Sequence, residues 1–401
     1  MNVFFATHNR LLNAVEYRTH RYLFDNFNIN GRLTGIIGPR GTGKTTLILQ
    51  FIKEKLAEPE KAIYAALDNI YFSSHSLLDF VNELYEFYGI RYFFLDEVHK
   101  YSGWNQELKN IYDSYPDIKV VFTGSSSIDL VKGSHDLSRR ASMFRLTGMS
   151  FREYLEFKAI KASVPLSFAD LSTCHAFASE IAGIEKLRAH FKDYLRYGYY
   201  PFFLEDKEVY EQKLFRVVQK IVYEDIANFY NLKTENLACF KKILAYIASI
   251  PPGELNRNSI SRQIGLDNKT VQHYLQILEE VGLARLLASG QAGSRLLKST
   301  EKIFLDNPNL YHAIAKESGI DINLGSIREV FFVAMLKNSG KQVFCSSAGD
   351  FTVDDLTFEI GGKNKKLRQI KHLPRDAYLV KDDILYNSNR EIPLHLFGYL
   401  Y

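Results

Sequence analysis

The stretch Gly38-Pro39-Arg40-Gly41-Thr42-Gly43-Lys44-Thr45 constrains this chain more than any other. An apolar run, Leu33 to Gly38, leads into it, and a helical spacing follows from Lys44 to about Leu56. Glycines let such a loop fold so that successive backbone N–H groups face one anion, and the N-terminus of the following helix adds positive potential. The spacing G-x4-G-K-T between strand and helix therefore predicts a phosphate-binding loop. Gly38, Pro39, Arg40, Gly41, Thr42, Gly43, Lys44, Thr45 and Thr46 are its candidate contacts. Lys44 is placed to reach the β- and γ-phosphates of a nucleotide, and the Thr45 hydroxyl to ligate magnesium.

A second element fits the first. Tyr92-Phe93-Phe94-Leu95-Asp96-Glu97 is an apolar strand ending in two acids. A buried strand has no structural use for adjacent carboxylates at its C-terminal end, whereas a metal site beside a phosphate loop does. Asp96 is the candidate metal ligand. Glu97, one residue on and facing differently, is the candidate general base for an attacking water. Further strands are predicted at Ala62–Asp68, Ile118–Thr123 and Met143–Thr147. The run Thr123-Gly124-Ser125-Ser126-Ser127 places Ser125 near the γ-phosphate, although the same residues also suit a helix cap. ATP with Mg2+, bound and hydrolysed, is the expected chemistry. Strands apolar on both faces and separated by helices predict a parallel α/β sheet up to about residue 150.

The chain has 401 residues, enough for several domains. Its net charge of +4 is too small to argue for nucleic acid by itself, so that case must come from local clusters. The three cysteines are scattered without metal spacing, no N-terminal run resembles a secretory signal, and no apolar run reaches membrane-span length. A cytoplasmic protein with no membrane partner is expected. Beyond Ser150 the pattern is mainly helical, broken by Tyr197-Gly198-Tyr199-Tyr200-Pro201.

Ser259 to Leu278 reads as a helix, a Gly265 turn and a second helix, with Arg285–Ser299 as a following hairpin that carries Arg295 and Lys298. Lys269, Thr270, Gln272, His273 and Gln276 fall on the outer face as candidate contacts to DNA or RNA. The same unit serves equally to dock a protein, and both readings stand. Farther on, Asp350, Asp354, Glu359 and Lys363 lie along two predicted strands, with Glu329 on the preceding helix. Acids and a lysine around a hairpin suit a magnesium nuclease. Two positions after Glu359, however, stands Gly361, where a lysine on the same strand face is needed. Asp350, Glu359 and Lys363 therefore read as a vestigial set, and cleavage is not expected. Gly361–Arg375 is the clearest basic cluster, with Lys363, Lys365, Lys366, Arg368, Lys371 and Arg375.

Taken with Leu137-Ser138-Arg139-Arg140-Ala141, Ser150-Phe151-Arg152-Glu153-Tyr154-Leu155, Tyr197–Pro201 and Phe358–Lys363, these blocks resemble the AAA-type ATPases. The likeness is to the prokaryotic group whose ATPase core is fused to a winged-helix domain and a restriction-endonuclease-like domain. It implies an AAA-type P-loop core over 1–150 with sheet order 5-1-4-3-2. A helical lid over 151–235, a winged helix over 236–300 and an endonuclease-like α/β domain over 301–401 complete the arrangement. It also implies a homo-oligomer in which an arginine completes a neighbouring site. Arg140 is the positional match, but Arg139 stands where the group usually has glycine, so the choice between the two stays open. DNA is the expected partner; a nucleotide-dependent signalling switch whose winged helix docks a protein is the alternative.

Overall fold

The computed structural model describes residues 1–16, 18–124, 137, 139–230, 232–251, 257–288, 300–346, 348–366, 377–388 and 390–401. The chain divides into two compact units, Met1–Thr147 and Gly148–Tyr401. Among the described residues, no helix is long and apolar enough to cross a membrane.

The first unit is built on five parallel strands: β1 (Leu33–Ile37), β2 (Ala62–Ala66), β3 (Tyr92–Asp96), β4 (Lys119–Gly124) and β5 (Ala141–Arg145). Their spatial order is β2-β3-β4-β1-β5, the predicted 5-1-4-3-2 read from the other edge. Strand alternation divides the apolar residues between the two faces. Leu33, Ile63, Phe93, Leu95, Val120 and Phe122 pack with α1 (Asn2–Ala14), α4 (Leu77–Tyr88) and α5 (Trp104–Ser114). Ile36, Ala62, Tyr64, Phe94 and Val121 pack with α2 (Leu23–Asn26) and α3 (Lys44–Glu54). Helices cover both faces, as continuous apolar strands require. Because all five strands run the same way, their C-terminal ends open onto one rim, where the phosphate loop and Asp96 lie together.

Edge strand β2 meets α1, whose buried His8 accepts a hydrogen bond from the Tyr64 N–H at 3.1 Å. That contact occupies a backbone donor that an edge would otherwise expose. Burial pulls the His8 pKa down, which keeps the ring neutral and able to accept. The other edge, β5, is largely exposed and begins two residues earlier than predicted. The Ser125–Ser127 run and the helix predicted after it lie outside the described residues.

The second unit opens with α6 (Phe151–Phe157), α7 (His175–Ala182), α8 (Leu187–Tyr197) and α9 (Tyr210–Lys220); a π-helical turn at Ile221–Ile226 then joins α10 (Ala227–Tyr230). Ser150 caps α6 in a reciprocal arrangement with Glu153, the capping-box geometry its sequence encodes. Three helices follow, α11 (Thr234–Ser249), α12 (Arg257–Ile264) and α13 (Asn268–Glu280), and then an antiparallel pair, β6 (Ala284–Ala288) and β7 (Thr300–Leu305). The hairpin's second strand thus begins after the predicted span, whose tip, with Arg295 and Lys298, lies outside the described residues.

Helices α14 (Pro308–Ser318) and α15 (Leu324–Asn338) lead to a mixed sheet of β8 (Val343–Cys345), β9 (Phe351–Val353), β10 (Leu356–Gly361), β11 (Ala377–Lys381) and β12 (Glu391–Pro393). Its order is β12-β11-β10-β9-β8, with β10, β11 and β12 parallel to one another. A buried polar joint ties this unit internally. Arg285 pairs with Asp306 at 3.0 Å and donates to Asn338 at 3.0 Å. The Tyr199 hydroxyl stands 3.3 Å from both Arg285 and Asp306.

Candidate functional site

The phosphate loop runs from Gly38 to the first turn of α3, which begins at Lys44. Glycine is obligatory at two of its positions for different reasons. A Cβ on residue 38 would lie 2.0 Å from the Leu146 carbonyl oxygen, a backbone atom that cannot swing aside. Gly43 caps α3 with φ +92°, a conformation that side chains oppose. Lys44 is buried, and its ammonium donates to the carbonyl oxygens of Gly38 at 2.8 Å and Pro39 at 3.0 Å. It is thereby folded back over the loop whose anion it is expected to meet. The Thr42 hydroxyl closes the same turn onto Pro39 at 2.9 Å. Thr46 is exposed on the first turn, and Gly41 holds φ +81° at the loop tip.

Asp96, at the end of β3, faces this loop. Its Oδ2 accepts from the Thr45 hydroxyl at 2.6 Å and from the Tyr64 hydroxyl at 2.8 Å. Its Oδ1 accepts from the Thr123 hydroxyl and from the Glu97 N–H, the latter at 3.1 Å. Four donors hold one buried carboxylate, so its orientation is fixed before any ligand arrives. Burial and the Asp96 charge both raise the Tyr64 pKa, so the phenol stays a donor.

Glu97 follows with φ +53°, in the left-handed region. That turn takes its carboxylate out of the strand's alternation, and Glu97 Oε2 lies 3.4 Å from His99 Nε2. Sequence alone brought Thr45, Asp96 and Glu97 together. Tyr64 and His99 carry no motif, and only the register of β2 against β3, with Ala66 beside Asp96, places Tyr64 near the acid.

Residues 30–155 match a family described as AAA domain. The first unit carries an AAA-type P-loop core. Its five-stranded order is the one that core uses, and a nucleotide-binding ATPase domain is what the family describes. A second match, to a domain of unknown function (DUF8612), spans residues 188–321. None of the curated proteins matches the sequence. Similar solved structures include C. elegans PCH-2, at 18% identity over 47% of this chain and 54% of that one, TM-score 0.27. A katanin self-assembly structure overlaps at 18% identity over 41% and 57%, TM-score 0.27. AMPPCP-bound DnaA from Aquifex aeolicus overlaps at 16% identity over 64% and 84%, TM-score 0.29. The chain spans little more than half the length of the first two.

The remaining predicted residues fall elsewhere. Ser125 lies outside the described residues. Arg140 directly precedes β5 and pairs with Asp113 at 3.4 Å, its guanidinium 5.7 Å from the Tyr112 ring. Because Ala141 sits beside Leu33 and Arg145 beside Ile37, Arg140 is at the opposite end of the sheet from its own phosphate loop. That is ~16 Å of strand at ~3.3 Å per residue.

On α13, Asp267 caps the helix through its Oδ1, which accepts from the Lys269 and Thr270 N–H groups. The Thr270 hydroxyl donates to Asp267 at 2.6 Å and Gln272 accepts from Arg257 at 3.0 Å, so both are engaged locally. Lys269, His273 and Gln276 are exposed.

Near the C-terminus the lysine beside Glu359 is Lys365, and Lys363 stands away from it. The Lys365 ammonium is 2.6 Å from Glu359 and 3.8 Å from Asp350, while Lys363 is exposed in the turn after β10. Lys302 lies 3.2 Å from Glu329 and 3.7 Å from Asp350. Burial pushes the Glu329 carboxyl up to about 7. Asp354 pairs outside this group, with Lys341 at 2.8 Å. Of the basic cluster, Arg368, Lys371 and Arg375 lie outside the described residues.

Proposed function

We propose that the protein is a magnesium-dependent ATPase whose first unit binds the nucleotide at Gly38–Thr45 and turns it over through Glu97. The carrying observation is the Thr45 hydroxyl held 2.6 Å from Asp96 at the rim where the phosphate loop opens. A hydroxyl and a carboxylate are hard oxygen donors, and such a pair fits magnesium rather than a softer metal. Bound there, magnesium would neutralise charge on the β- and γ-phosphate oxygens. Lys44 supplies the matching positive charge from the protein, and the loop N–H groups supply neutral donors. Glu97, turned out of the strand, orients and deprotonates the water. Arg140, remote from its own loop, suits a site on an adjacent copy in a homo-oligomer, where it would offset phosphoryl charge.

The second unit reads best as the part that meets nucleic acid. Helices α11 to α13 followed by the β6–β7 pair are consistent with the connectivity of a winged helix, and Lys269, His273 and Gln276 lie on the exposed face of α13. The C-terminal acids support a structural role instead of cleavage, since Lys302 and Lys365 already offset them.

Two substitutions in the full chain test the ATPase reading. Lys44→Ala should abolish tight ATP binding, and Glu97→Gln should keep binding and lose turnover. Normal ATP binding by Lys44→Ala would remove the site. Turnover and retardation measured with a panel of DNA duplexes and branched forms test the second unit. Salt-sensitive binding that raises turnover is expected. No retardation at low salt would point to protein docking instead.

A further inference from the structure

Arg21 belongs to no motif, yet its guanidinium is buried directly behind the phosphate loop. One terminal nitrogen donates to the Thr42 carbonyl oxygen inside the loop, and the other donates to the Thr147 carbonyl oxygen at 2.8 Å. The neighbouring Tyr22 extends the same tie, its hydroxyl donating to the Arg145 carbonyl at 2.7 Å and accepting from the Thr147 N–H at 3.3 Å. Residues 145–147 are in turn laid against the loop's base: the Leu146 N–H donates to Ile37 at 2.8 Å, and the Leu146 carbonyl fills the space a side chain on Gly38 would need.

A trans peptide points its C=O and the following N–H in opposite directions. With the Thr42 carbonyl turned toward Arg21, the Gly43 N–H must point away from it. Gly43 is the residue that closes the loop onto α3, and its N–H is among those that a phosphate group would meet. Arginine keeps its charge throughout the working pH range, and its planar fork spans two acceptors that a lysine cannot hold in the same way.

We propose that Arg21 is a positioning residue for nucleotide binding: it orients the Thr42–Gly43 peptide toward the phosphates and fastens that peptide to Thr147, the last residue of the first unit. The proposal rests on the ATP-binding reading above and assigns the loop's shape to a residue outside the motif. Nucleotide occupancy then bears on residues 145–147 through this guanidinium, beside the direct packing of Leu146 on the loop's base.

The test uses the full chain with Arg21→Ala, Arg21→Lys and the reference variant Lys44→Ala. A fluorescent ATP analogue gives affinity, and steady-state turnover separates KM from kcat. Arg21→Ala should weaken binding and raise KM by about tenfold or more, with a smaller fall in kcat, equivalent to ~1.4 kcal/mol or more of binding free energy. Millimolar guanidinium ion should recover part of that loss by refilling the vacated space. Arg21→Lys should be intermediate. If Arg21→Ala melts lower but keeps wild-type affinity and KM, the role is structural and the proposal is overturned. Should Arg21→Ala fail to fold, wild-type affinity in a folded Arg21→Lys overturns it equally. If Lys44→Ala also binds like wild type, the fault lies with the ATP-binding reading itself.

Discussion

Tyr64→Phe removes one oxygen atom from the polar knot around Asp96 and leaves the ring in the core. The hydroxyl donates to Asp96 Oδ2 at 2.8 Å, beside the Thr45 donor on the same oxygen. A hydrogen bond to a charged group contributes ~1.5–3 kcal/mol. The loss should stop there, because Thr45, Thr123 and the Glu97 N–H still satisfy the carboxylate. For a unit of this size, each kcal/mol shifts Tm by ~2–4 °C, so the variant should melt ~3–12 °C lower. The chain's one tryptophan, Trp104, lies in α5 and reports on this unit by fluorescence. With a competing donor gone, Asp96 becomes the stronger metal ligand, so Mg·ATP should raise the variant's Tm at least as far as the parent's. A Tm within about 1 °C of the parent, or no stabilisation by Mg·ATP, would refute the reasoning.

Gly38→Ala forces a Cβ to within 2.0 Å of the Leu146 oxygen, and ATP binding measured by calorimetry should be lost, with ~1–3 kcal/mol of stability. Arg285→Met leaves Asp306 buried without its cation and should cost ~3–5 kcal/mol in urea unfolding; adding Asp306→Asn should recover much of it. Burial, with Arg196 nearby, draws the His312 pKa from 6.5 down to about 4, so the unfolded chain takes up the proton first. Stability should therefore fall as pH drops below about 6.5 and level off near 4, by ~3 kcal/mol at 1.36 kcal/mol per unit. The pH dependence of the difference between wild type and His312→Gln isolates that contribution.

The core was legible in the sequence because its signals are local. Strands apolar on both faces, a loop of fixed spacing and acids at a strand end each declare themselves within eight residues or so. Their failure elsewhere has equally local causes. Lys363, the first lysine after Glu359 in sequence, is not the one beside the acid, because the strand ends at Gly361 and beyond it the chain turns. Lys365 then folds back, its ammonium donating to the Ile360 carbonyl at 2.7 Å. Thr270 and Gln272 sit on the outer face of α13 as spacing predicted, but capping and Arg257 engage them. Tyr64, His99 and Arg21 were invisible for a different reason. Tyr64 and Arg21 reach the site from 21 to 126 residues away, Tyr64 by the register of β2 on β3 and Arg21 by hydrogen bonds to two carbonyls, while His99 is brought to Glu97 by the turn that follows β3.

Glu97 has a consequence for how this domain tolerates change. A glutamate held at φ +53° sits in a conformation that costs ~1–3 kcal/mol and that glycine or asparagine occupies with little strain. Selection for stability alone would replace it, and the replacement would delete the carboxylate. With Glu97 as the proposed base, foldability and turnover would pull in opposite directions at this position. On that proposed role, variants ranked by expression or melting temperature would drift toward a nucleotide holder that does not turn over, with the sheet, loop and Asp96 intact.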